Sequence, residues 1–181
     1  MEGLRGQLLV ASPALLDPNF HRTVVLVVEH GEGGALGVVL NRPSGADVAE
    51  AAPLLAGLLE PEGQVHIGGP VEPTAVMVLA ELEDPSEAAT VIFDGVGVLA
   101  ADGDPALWAA DTRRARVFAG YAGWGAGELE SELAEEAWIV EPAEPGDIFA
   151  DTNAELWAEV LRRKGGQFAL LSRMPPDPSV N

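Results

Sequence analysis

Short apolar runs bounded by turn residues recur along the whole chain and predict a sheet-rich protein. Leucine and β-branched residues dominate these runs, which is typical of buried strands. The predicted strands are Gln7–Ala11, Thr23–Val28, Leu36–Leu40, Val65–Ile67, Thr74–Ala80, Ala89–Phe93, Val96–Ala100, Ala115–Tyr121, Ala137–Val140 and Phe168–Leu171. A glycine-rich segment separates the second run from the third, and it predicts a hairpin with both strands largely buried.

Helical signals are fewer than strand signals. Thr152 and Glu155 have the spacing of a capping box, followed by an apolar helical face, a basic last turn and a stop at Gly165. Further helices are predicted over residues 47–59, 104–110 and 127–134. Strands and helices do not alternate, so the pattern favours an α+β fold over a parallel, doubly wound sheet. We expect one domain over residues 1–174 and a proline-rich tail over 175–181.

Charge and composition narrow the classes of function. The 181 residues carry 29 acidic and 10 basic side chains, a net charge of −19, and they include no cysteine. Disulfide scaffolds and cysteine-ligated metals are therefore excluded, and we expect neither a metal nor a cofactor. The acidic charge disfavours nucleic acid as a partner, unless the basic clusters at 113–116 and 162–164 merge into one patch. No signal peptide or membrane-spanning run is evident, which predicts a cytoplasmic protein that does not bind membranes.

Two polar segments near the N-terminal hairpin are candidates for chemistry. The turn sequence from Asp17 to Arg22 is explained either by an ion pair that holds the turn or by groups that face a ligand. His30 ends a strand, and three roles remain open for it: a neutral imidazole bonded to the backbone, a general base or a metal ligand. Asn41 and Arg42 close the next strand, and an arginine before proline projects in a restricted direction that suits an anion.

Two glycine-rich segments are further candidates. Gly68 and Gly69 form a sharp turn in which backbone amides could approach a ligand. Tyr121 and Trp124 alternate with glycines before an acidic helix, so they either fill the core or form an aromatic wall of a binding site. No phosphate-binding loop or serine nucleophile motif is present, and the glycines at 95 and 97 fit a strand after a turn better than a dinucleotide site.

These segments, in this order and spacing, resemble the YqgE/AlgH family of bacterial proteins. The shared segments are 6–11, 17–25, His30, 34–43, 68–71, 118–130 and 156–157. The resemblance implies a branched, mostly antiparallel sheet that forms a pseudo-barrel with peripheral helices. It implies no assigned reaction and no catalytic residues. Family members have been called transcriptional regulators, yet this chain has no helix-turn-helix pattern, and its Glu128 stands where the family usually has glutamine.

We therefore predict a non-catalytic binding or regulatory protein whose partner is a small molecule or another protein. The predicted ligand-binding residues are Asp17, Arg22, His30, Asn41, Arg42, Gly68, Gly69, Tyr121 and Trp124. The alternative is a hydrolase that uses Asp17, His30 or Glu128 as acid or base, which requires two of them in one open pocket. A transcriptional regulator is a further alternative that the net charge disfavours.

Overall fold

A single branched sheet organises the protein. The computed structural model describes residues 3–51, 64–84, 88, 90–99, 111–150 and 154–175. The strands are β1 (Gln7–Ala11), β2 (Val24–Gly31), β3 (Gly34–Val39), β4 (Pro43–Asp47), β5 (Gln64–Ile67), β6 (Val71–Leu82), β7 (Thr90–Phe93), β8 (Val96–Val98), β9 (Thr112–Gly125) and β10 (Trp138–Pro142). The helices are α1 (Val48–Ala51), α2 (Glu128–Ala134), α3 (Pro145–Phe149), α4 (Leu156–Lys164) and α5 (Gln167–Leu171).

The predicted α+β class and the mostly antiparallel sheet are confirmed. The main path of paired strands is β10-β1-β2-β3-β9-β6-β8-β7, and β4 pairs with β5 beside it. Among the described strands, only the pairing of β5 with β9 is parallel. The main path has two ends, β10 and β7, so the sheet is open, and the pseudo-barrel is not closed by hydrogen bonds within these residues.

The branch of the sheet lies at β9. One edge of this strand pairs with β6, for example Met77 with Phe118. The other edge pairs first with β5, at Phe118 and Ala119, and then with β3, from Ala122 onwards. The amide of Val39 donates to the carbonyl of Gly68 over 2.8 Å, which joins β3 to the chain that follows β5. The long strand β9 therefore belongs to both arms of the sheet.

Strands β1 and β2 are buried on both faces, which explains their unbroken apolar sequences. Leu8 and Val10 pack into a core with buried side chains of α3 and α4. Leu9 and Ala11, on the opposite face, pack into a second core with Trp124 of β9. A third apolar cluster consists of side chains of β5, β6 and β9 together with Val48 of α1 and Leu99 after β8; its other buried members are Val65, Val78, Ala80, Leu82 and Val117. The first two cores hold the β2–β3 hairpin between helices on one side and α2 on the other.

Nine of the ten predicted strands are present, and the tenth is a helix. The predicted strand Phe168–Leu171 is α5, which follows a chain reversal at Gly165 and Gly166. A short apolar run has no period long enough to distinguish strand from helix. β9 continues to Gly125, beyond the predicted end at Tyr121. Strand β4 was not predicted because all five of its residues are exposed and it lacks an apolar alternation.

The predicted start of the C-terminal helix is wrong, although its face and its end are confirmed. Helix α4 begins at Leu156, and its first backbone bond runs from the amide of Glu159 to the carbonyl of Glu155 over 2.9 Å. A cap contributes only about 1 kcal/mol, whereas α4 buries five side chains, so tertiary packing sets the start. The proposed cap Thr152 lies outside the described residues, as do the predicted helix 104–110, most of the helix 47–59 and most of the tail.

Helix α3 was not predicted, although its sequence carries a signal. Glu144 and Asp147 bond each other's backbone amides reciprocally, and Pro145 occupies the first turn. Arg163 of α4 then donates to both carboxylate oxygens of Asp147, over 2.9 and 2.8 Å. The hydrogen bond and the charge of Asp147 raise the pKa of Arg163. These contacts fasten α3 to the end of α4.

The outer edge of β10 is capped by basic side chains of α4. Lys164 donates to the carbonyl of Val140 over 2.8 Å, and Arg163 donates to the carbonyl of Pro142 over 3.2 Å. Pro142 itself has no amide proton to offer to another strand. Cations and a proline at an edge strand prevent pairing with a second chain, so this end of the sheet is protected.

Candidate functional site

Arg42 holds the turn that begins at Asp17. Its guanidinium donates to the carbonyls of Asn19 over 2.6 Å, Pro18 over 2.9 Å and His21 over 3.2 Å. Burial lowers the pKa of Arg42, and the Asp17 carboxylate opposes that shift. Asp17 in turn accepts a hydrogen bond from the amide of Asn19 over 2.9 Å. A ligand anion would have to replace carbonyls that already occupy the guanidinium.

Asn41 and Arg22 connect the same turn to the sheet and to the C-terminal segment. The Asn41 amide group accepts from the Val24 amide over 3.0 Å and donates to the Arg22 carbonyl over 2.9 Å. Arg22 has a φ of 57°. Its guanidinium lies 4.0 Å from the centroid of the Trp157 ring and donates to the Met174 carbonyl over 2.9 Å. Both side chains therefore have partners within the protein.

Gly68 and Gly69 allow the backbone to lie directly against β9. A Cβ at Gly68 would stand 2.3 Å from the carbonyl oxygen of Gly120, and one at Gly69 would stand 2.2 Å from the carbonyl of Tyr121. The Tyr121 side chain packs at the margin of the first core. Burial and the Glu72 carboxylate, to which its hydroxyl hydrogen-bonds, raise the pKa of Tyr121. The two glycines therefore allow the turn after β5 to lie directly against the backbone of β9.

A small cavity lies between the Asp17 turn and the glycine turn. Its volume is about 60 Å³. It is lined by Asn19, Val39, Arg42, Ile67, Gly69 and Pro70. A cavity of this size holds a few water molecules and is well below the several hundred Å³ typical of metabolite sites. The structure therefore brings Arg42, Gly69 and the Asp17 turn together, but around a very small space.

A β-bulge gives His30 its position. The register between β2 and β3 shifts between Val27 and Glu29, so that His30 pairs with Ala35, which pairs with Trp124. Paired residues share a face of the sheet, so the extra residue moves His30 to the face that carries α2. Without the bulge, the alternation of β2 would put His30 on the opposite face.

Both ring nitrogens of His30 are engaged. Nδ1 accepts from the amide of Leu4 over 3.0 Å, and Nε2 lies 2.6 Å from Oε1 of Glu130. Because Nδ1 accepts a hydrogen bond, the ring donates to Glu130 through Nε2. The hydrogen bond from His30 lowers the pKa of Glu130. His30 is almost fully buried, with 6% of its side chain exposed, whereas Glu130 is 38% exposed.

Trp124 is part of an aromatic cluster beneath the hairpin. Its ring contacts Trp138 edge to face at 6.1 Å, and Phe20 at 6.5 Å. One carboxylate oxygen of Glu132 accepts from both indole N–H groups, over 2.7 and 2.8 Å. The residue is 7% exposed, so only a small part of the indole is accessible. Glu128, which the family resemblance singled out, accepts from the Gly125 amide over 3.1 Å.

An open cleft of about 540 Å³ lies at the tip of the β2–β3 hairpin. Its lining consists of Arg5, Glu29, His30, Gly31, Gly33, Gly34, Ala35, Leu36 and Trp124. This volume is within the range of small-molecule sites. Of the predicted ligand-binding residues, His30 and Trp124 line the cleft, whereas Arg42 and Gly69 line the small cavity and Tyr121 lines neither.

Sequence reasoning missed Arg5, Glu29 and Glu130. Glu130 lies within a segment shared with the family, and its position two residues after Glu128 in a short helix was the available signal. Arg5 and Glu29 carried no such signal, because each is an ordinary charged residue beside an apolar strand. Their place in the cleft depends on the hairpin register, which no local pattern reports.

The two basic clusters are largely used within the protein. Arg113 and Arg114 form ion pairs with Glu83 and Glu81, each over 2.8 Å. Arg116 donates to the carbonyls of Ile148 and Ala150, and Lys164 lies 3.5 Å from Glu141. The described residues include no group of three or more side chains suited to a metal. No described helix is long and apolar enough to cross a membrane.

Comparison with known proteins places this architecture in a family. A family model described as AlgH-like matches residues 8–169. This chain belongs to the AlgH-like family. It is 42% identical to the UPF0301 protein SCO2948 of Streptomyces coelicolor, over 100% of this chain and 97% of the relative. It is 40% identical to a UPF0301 protein of Rhodococcus opacus, over 97% of this chain and 90% of the relative.

Two solved structures share the fold of this AlgH-like protein. The crystal structure of DIP2367 from Corynebacterium diphtheriae aligns with a TM-score of 0.88 and 29% identity, over 95% of this chain and 93% of that one. The solution structure of AlgH from Pseudomonas aeruginosa aligns with a TM-score of 0.68 and 33% identity, over 96% and 95% of the two chains. The predicted family and fold are therefore confirmed.

Proposed function

We propose that this AlgH-like protein is a non-catalytic binding module whose ligand site is the cleft at the tip of the β2–β3 hairpin. The observation that carries the proposal is the size of this cleft, about 540 Å³, against about 60 Å³ for the cavity beside Arg42. His30 and Trp124 are the predicted ligand-binding residues that contribute to the site. We also propose that the protein is cytoplasmic and that its ligand is a small molecule.

The contacts of the candidate acids and bases support a non-catalytic role. His30 has no free ring lone pair, because Nδ1 accepts from Leu4 and Nε2 donates to Glu130. A general base needs such a lone pair within reach of the substrate proton. Asp17 and Glu128 accept from backbone amides and do not line the cleft. The hydrolase alternative requires two of these groups in one pocket, so the geometry weighs against it.

Three other residues that the sequence predicted to bind a ligand instead make contacts within the fold, which supports a ligand site at the cleft rather than beside them. Arg42 and Asn41 hold the Asp17 turn, and Gly69 permits the close approach to β9. None of these three residues lines the cleft. The ion pairs of Arg113 and Arg114 use charges that a transcriptional regulator would need for phosphate contacts, and they weigh against that alternative.

Blocking the cleft tests the proposal. Gly33 lines the cleft, a Cβ there meets no atom within 4 Å, and its φ is outside the left-handed range, so we expect Gly33→Trp to add an indole at the cleft without a clash at the Cβ. Gly146 has the same freedom in α3 and supplies the matched control, Gly146→Trp. The assay is a thermal-shift screen of metabolites, because a ligand at 100 times its Kd contributes about 2.7 kcal/mol to stability.

We expect at least one metabolite to raise the Tm of the wild type and of Gly146→Trp but not of Gly33→Trp. A ligand that stabilises all three proteins equally would place the site elsewhere and overturn the proposal. A screen in which no metabolite raises the Tm of the wild type would also overturn the proposal. It would favour a protein partner, which would then be sought by affinity capture. Mass spectrometry of the bound ligand after incubation would show turnover if the protein were an enzyme.

A further inference from the structure

His30 connects the segment before β1 to the acidic helix α2. Its Nδ1 accepts a hydrogen bond from the amide of Leu4 over 3.0 Å, and its Nε2 lies 2.6 Å from a carboxylate oxygen of Glu130. Gly3 lies against the same residue, since a Cβ there would stand 3.2 Å from the His30 carbonyl oxygen and 3.9 Å from Nδ1. Residues 3 and 4 therefore cover the Nδ1 side of the ring.

The imidazole holds this segment at a point where the backbone of β2 does not. The amide of Gly6 donates to the carbonyl of Val27 over 2.9 Å, just before the register shifts at the bulge. Beyond the bulge, the hydrogen bond from Leu4 to the ring of His30 joins the segment to β2. The ring nitrogen thus takes the place that a strand carbonyl would have in a continuous ladder.

A proton on Nδ1 is incompatible with the contact to Leu4. An imidazole nitrogen accepts a hydrogen bond only through its lone pair, and a second proton on the ring occupies that lone pair. The N–H of Nδ1 would then face the N–H of Leu4, and only 6% of the His30 side chain is exposed to water. A buried donor without an acceptor is costly, so the protonated ring requires residues 3 and 4 to move away and admit water.

The contact of the ring with α2 survives the same event. Nε2 donates to Glu130 in the imidazolium as it does in the imidazole. The hydrogen bond from His30 lowers the pKa of Glu130, so the carboxylate keeps its charge while the ring takes up a proton. The ring therefore stays fixed by α2 when its contact with Leu4 is lost.

The other charged groups near the ring lie on the elements that surround it. Glu128 and Glu132 of α2 are engaged by a backbone amide and by two indole N–H groups. Arg5 and Glu29 line the cleft beside the ring with opposite charges, and Glu32 is exposed in the hairpin turn. The residues of β3 and β9 that pair across from the ring are uncharged. Within the described ranges, the ionic partner of the ring is the carboxylate already named on α2.

We infer that His30 is a proton-controlled latch for residues 3–5. Without a proton on Nδ1, the ring holds Leu4 and thereby Arg5, which lines the cleft. With a proton on Nδ1, residues 3–5 detach and pivot at Gly6, where φ is 82°, so that Arg5 leaves the lining of the cleft. The latch works whichever ligand the cleft binds, so its test needs no ligand and is independent of the proposed function.

NMR of the full chain between about pH 8 and pH 5 tests the latch. The histidine ring resonances report protonation of His30, and amide relaxation in the same sample reports the mobility of Leu4, Arg5 and Gly6. We expect the order parameters of Leu4 and Arg5 to fall from about 0.85 to below about 0.6 at the midpoint of the ring titration, while that of Gly6 stays at about 0.85.

Three results would overturn the latch. One is an order parameter of Leu4 that does not change while the ring titrates. Another is an equal loss of order at Gly6, because that would indicate unfolding of β1 rather than release of the segment. The third is a ring that takes up no proton in this range of pH.

Variants of His30 assign the effect to Nδ1. His30→Asn keeps an acceptor oxygen near the position of Nδ1 and cannot titrate, so Leu4 should stay ordered at every pH. His30→Phe lacks the acceptor, so Leu4 should be mobile at every pH. If Leu4 becomes mobile only at low pH in His30→Asn as well, another group controls the segment and the latch is refuted.

A matched pair of variants in α2 tests the coupling between ring and segment. Glu130→Gln removes the charge that faces Nε2, and it should move the midpoints of the ring titration and of the Leu4 mobility together. Glu128→Gln removes the same charge from the same helix at a residue bonded to the Gly125 amide, and it should leave both midpoints close to those of the wild type. Midpoints that separate in Glu130→Gln would contradict control of the segment by His30.

Discussion

The stability of this protein should depend on pH through the buried imidazole of His66. The residue lies in β5, with 6% of its surface exposed, and its ring is 5.8 Å from that of Phe118. Burial, and then the positive charge of Arg116, lower the pKa of His66 to about 4, while a hydrogen bond from Nδ1 to the Gln64 carbonyl opposes the shift. The imidazole is therefore neutral in the folded protein at pH 7.

The sign and the size of the effect follow from this pKa. In the unfolded chain, His66 titrates near its ordinary value of 6.5, so the unfolded state binds more protons between pH 6.5 and pH 4. The contribution to stability is complete above pH 6.5 and is lost as the pH falls toward 4. The difference in pKa corresponds to a loss of about 3 kcal/mol, with a slope of roughly 1.4 kcal/mol per pH unit.

Urea unfolding followed by tryptophan fluorescence measures this loss. Carboxylates also gain protons as the pH approaches 4, so the informative quantity is the difference between the wild type and His66→Gln at each pH. We expect the variant to be the less sensitive to acid, and the difference in free energy of unfolding to change by about 3 kcal/mol between pH 7 and pH 4. Any constant cost of the substitution cancels in this comparison.

A direct titration supplies the refuting result. The chain has only three histidines, so their ring resonances can be assigned by substitution and followed by NMR. A His66 midpoint near 6.5 would contradict the burial of a neutral ring. Parallel pH curves for the wild type and His66→Gln would also refute the reasoning, because they would mean that folding does not change the protonation of this residue.

Three further predictions concern the framework. Gly69→Ala should lower the free energy of unfolding by about 3 kcal/mol or more, because its Cβ would stand 2.2 Å from the backbone of Tyr121. Gly127→Ala, at a position with a φ of 78° and open space around the Cβ, should lower it by only about 1 kcal/mol. Thermal unfolding of the two variants compares these losses. Glu132→Ala should lower the free energy of unfolding in urea by about 3 kcal/mol, because it leaves two indole N–H groups without an acceptor. Glu132→Gln should lower it clearly less, because one amide oxygen remains as an acceptor. Equal losses for the two variants would contradict the hydrogen bonds. Asn41→Ala should cost about 2 kcal/mol and increase hydrogen exchange at its amide partner in β2, and unchanged exchange would contradict the role of Asn41.

The predictions from sequence succeeded where the signal was local. Apolar runs such as β1 and β2 indicated strands buried on both faces, because burial on both sides removes the need for polar alternation. They failed at Phe168–Leu171, where a four-residue run is compatible with either element, and at β4, whose exposed polar residues carry no apolar pattern.

The candidate site was predictable only in part, for the same reason. His30 and Trp124 were identified as unusual residues, and both line the cleft. Their common location depends on pairs of residues that are far apart in sequence, such as Ala35 with Trp124. Glu130, the partner of His30, is 100 residues away from it along the chain.

The sequence by itself determined the class of the protein: an acidic, cysteine-free, strand-rich chain with an amphipathic C-terminal helix. These properties are either totals over the amino-acid composition or patterns among neighbouring residues, and they do not depend on which strands pair. Only the tertiary structure decided how the charged groups are used. The bulge in β2 moves His30 to the face of α2, Arg42 is occupied by the Asp17 turn, and Arg5 and Glu29 line the cleft. The physical reason is that a shift of one residue in register reverses the face of every later side chain, and register is set by long-range packing.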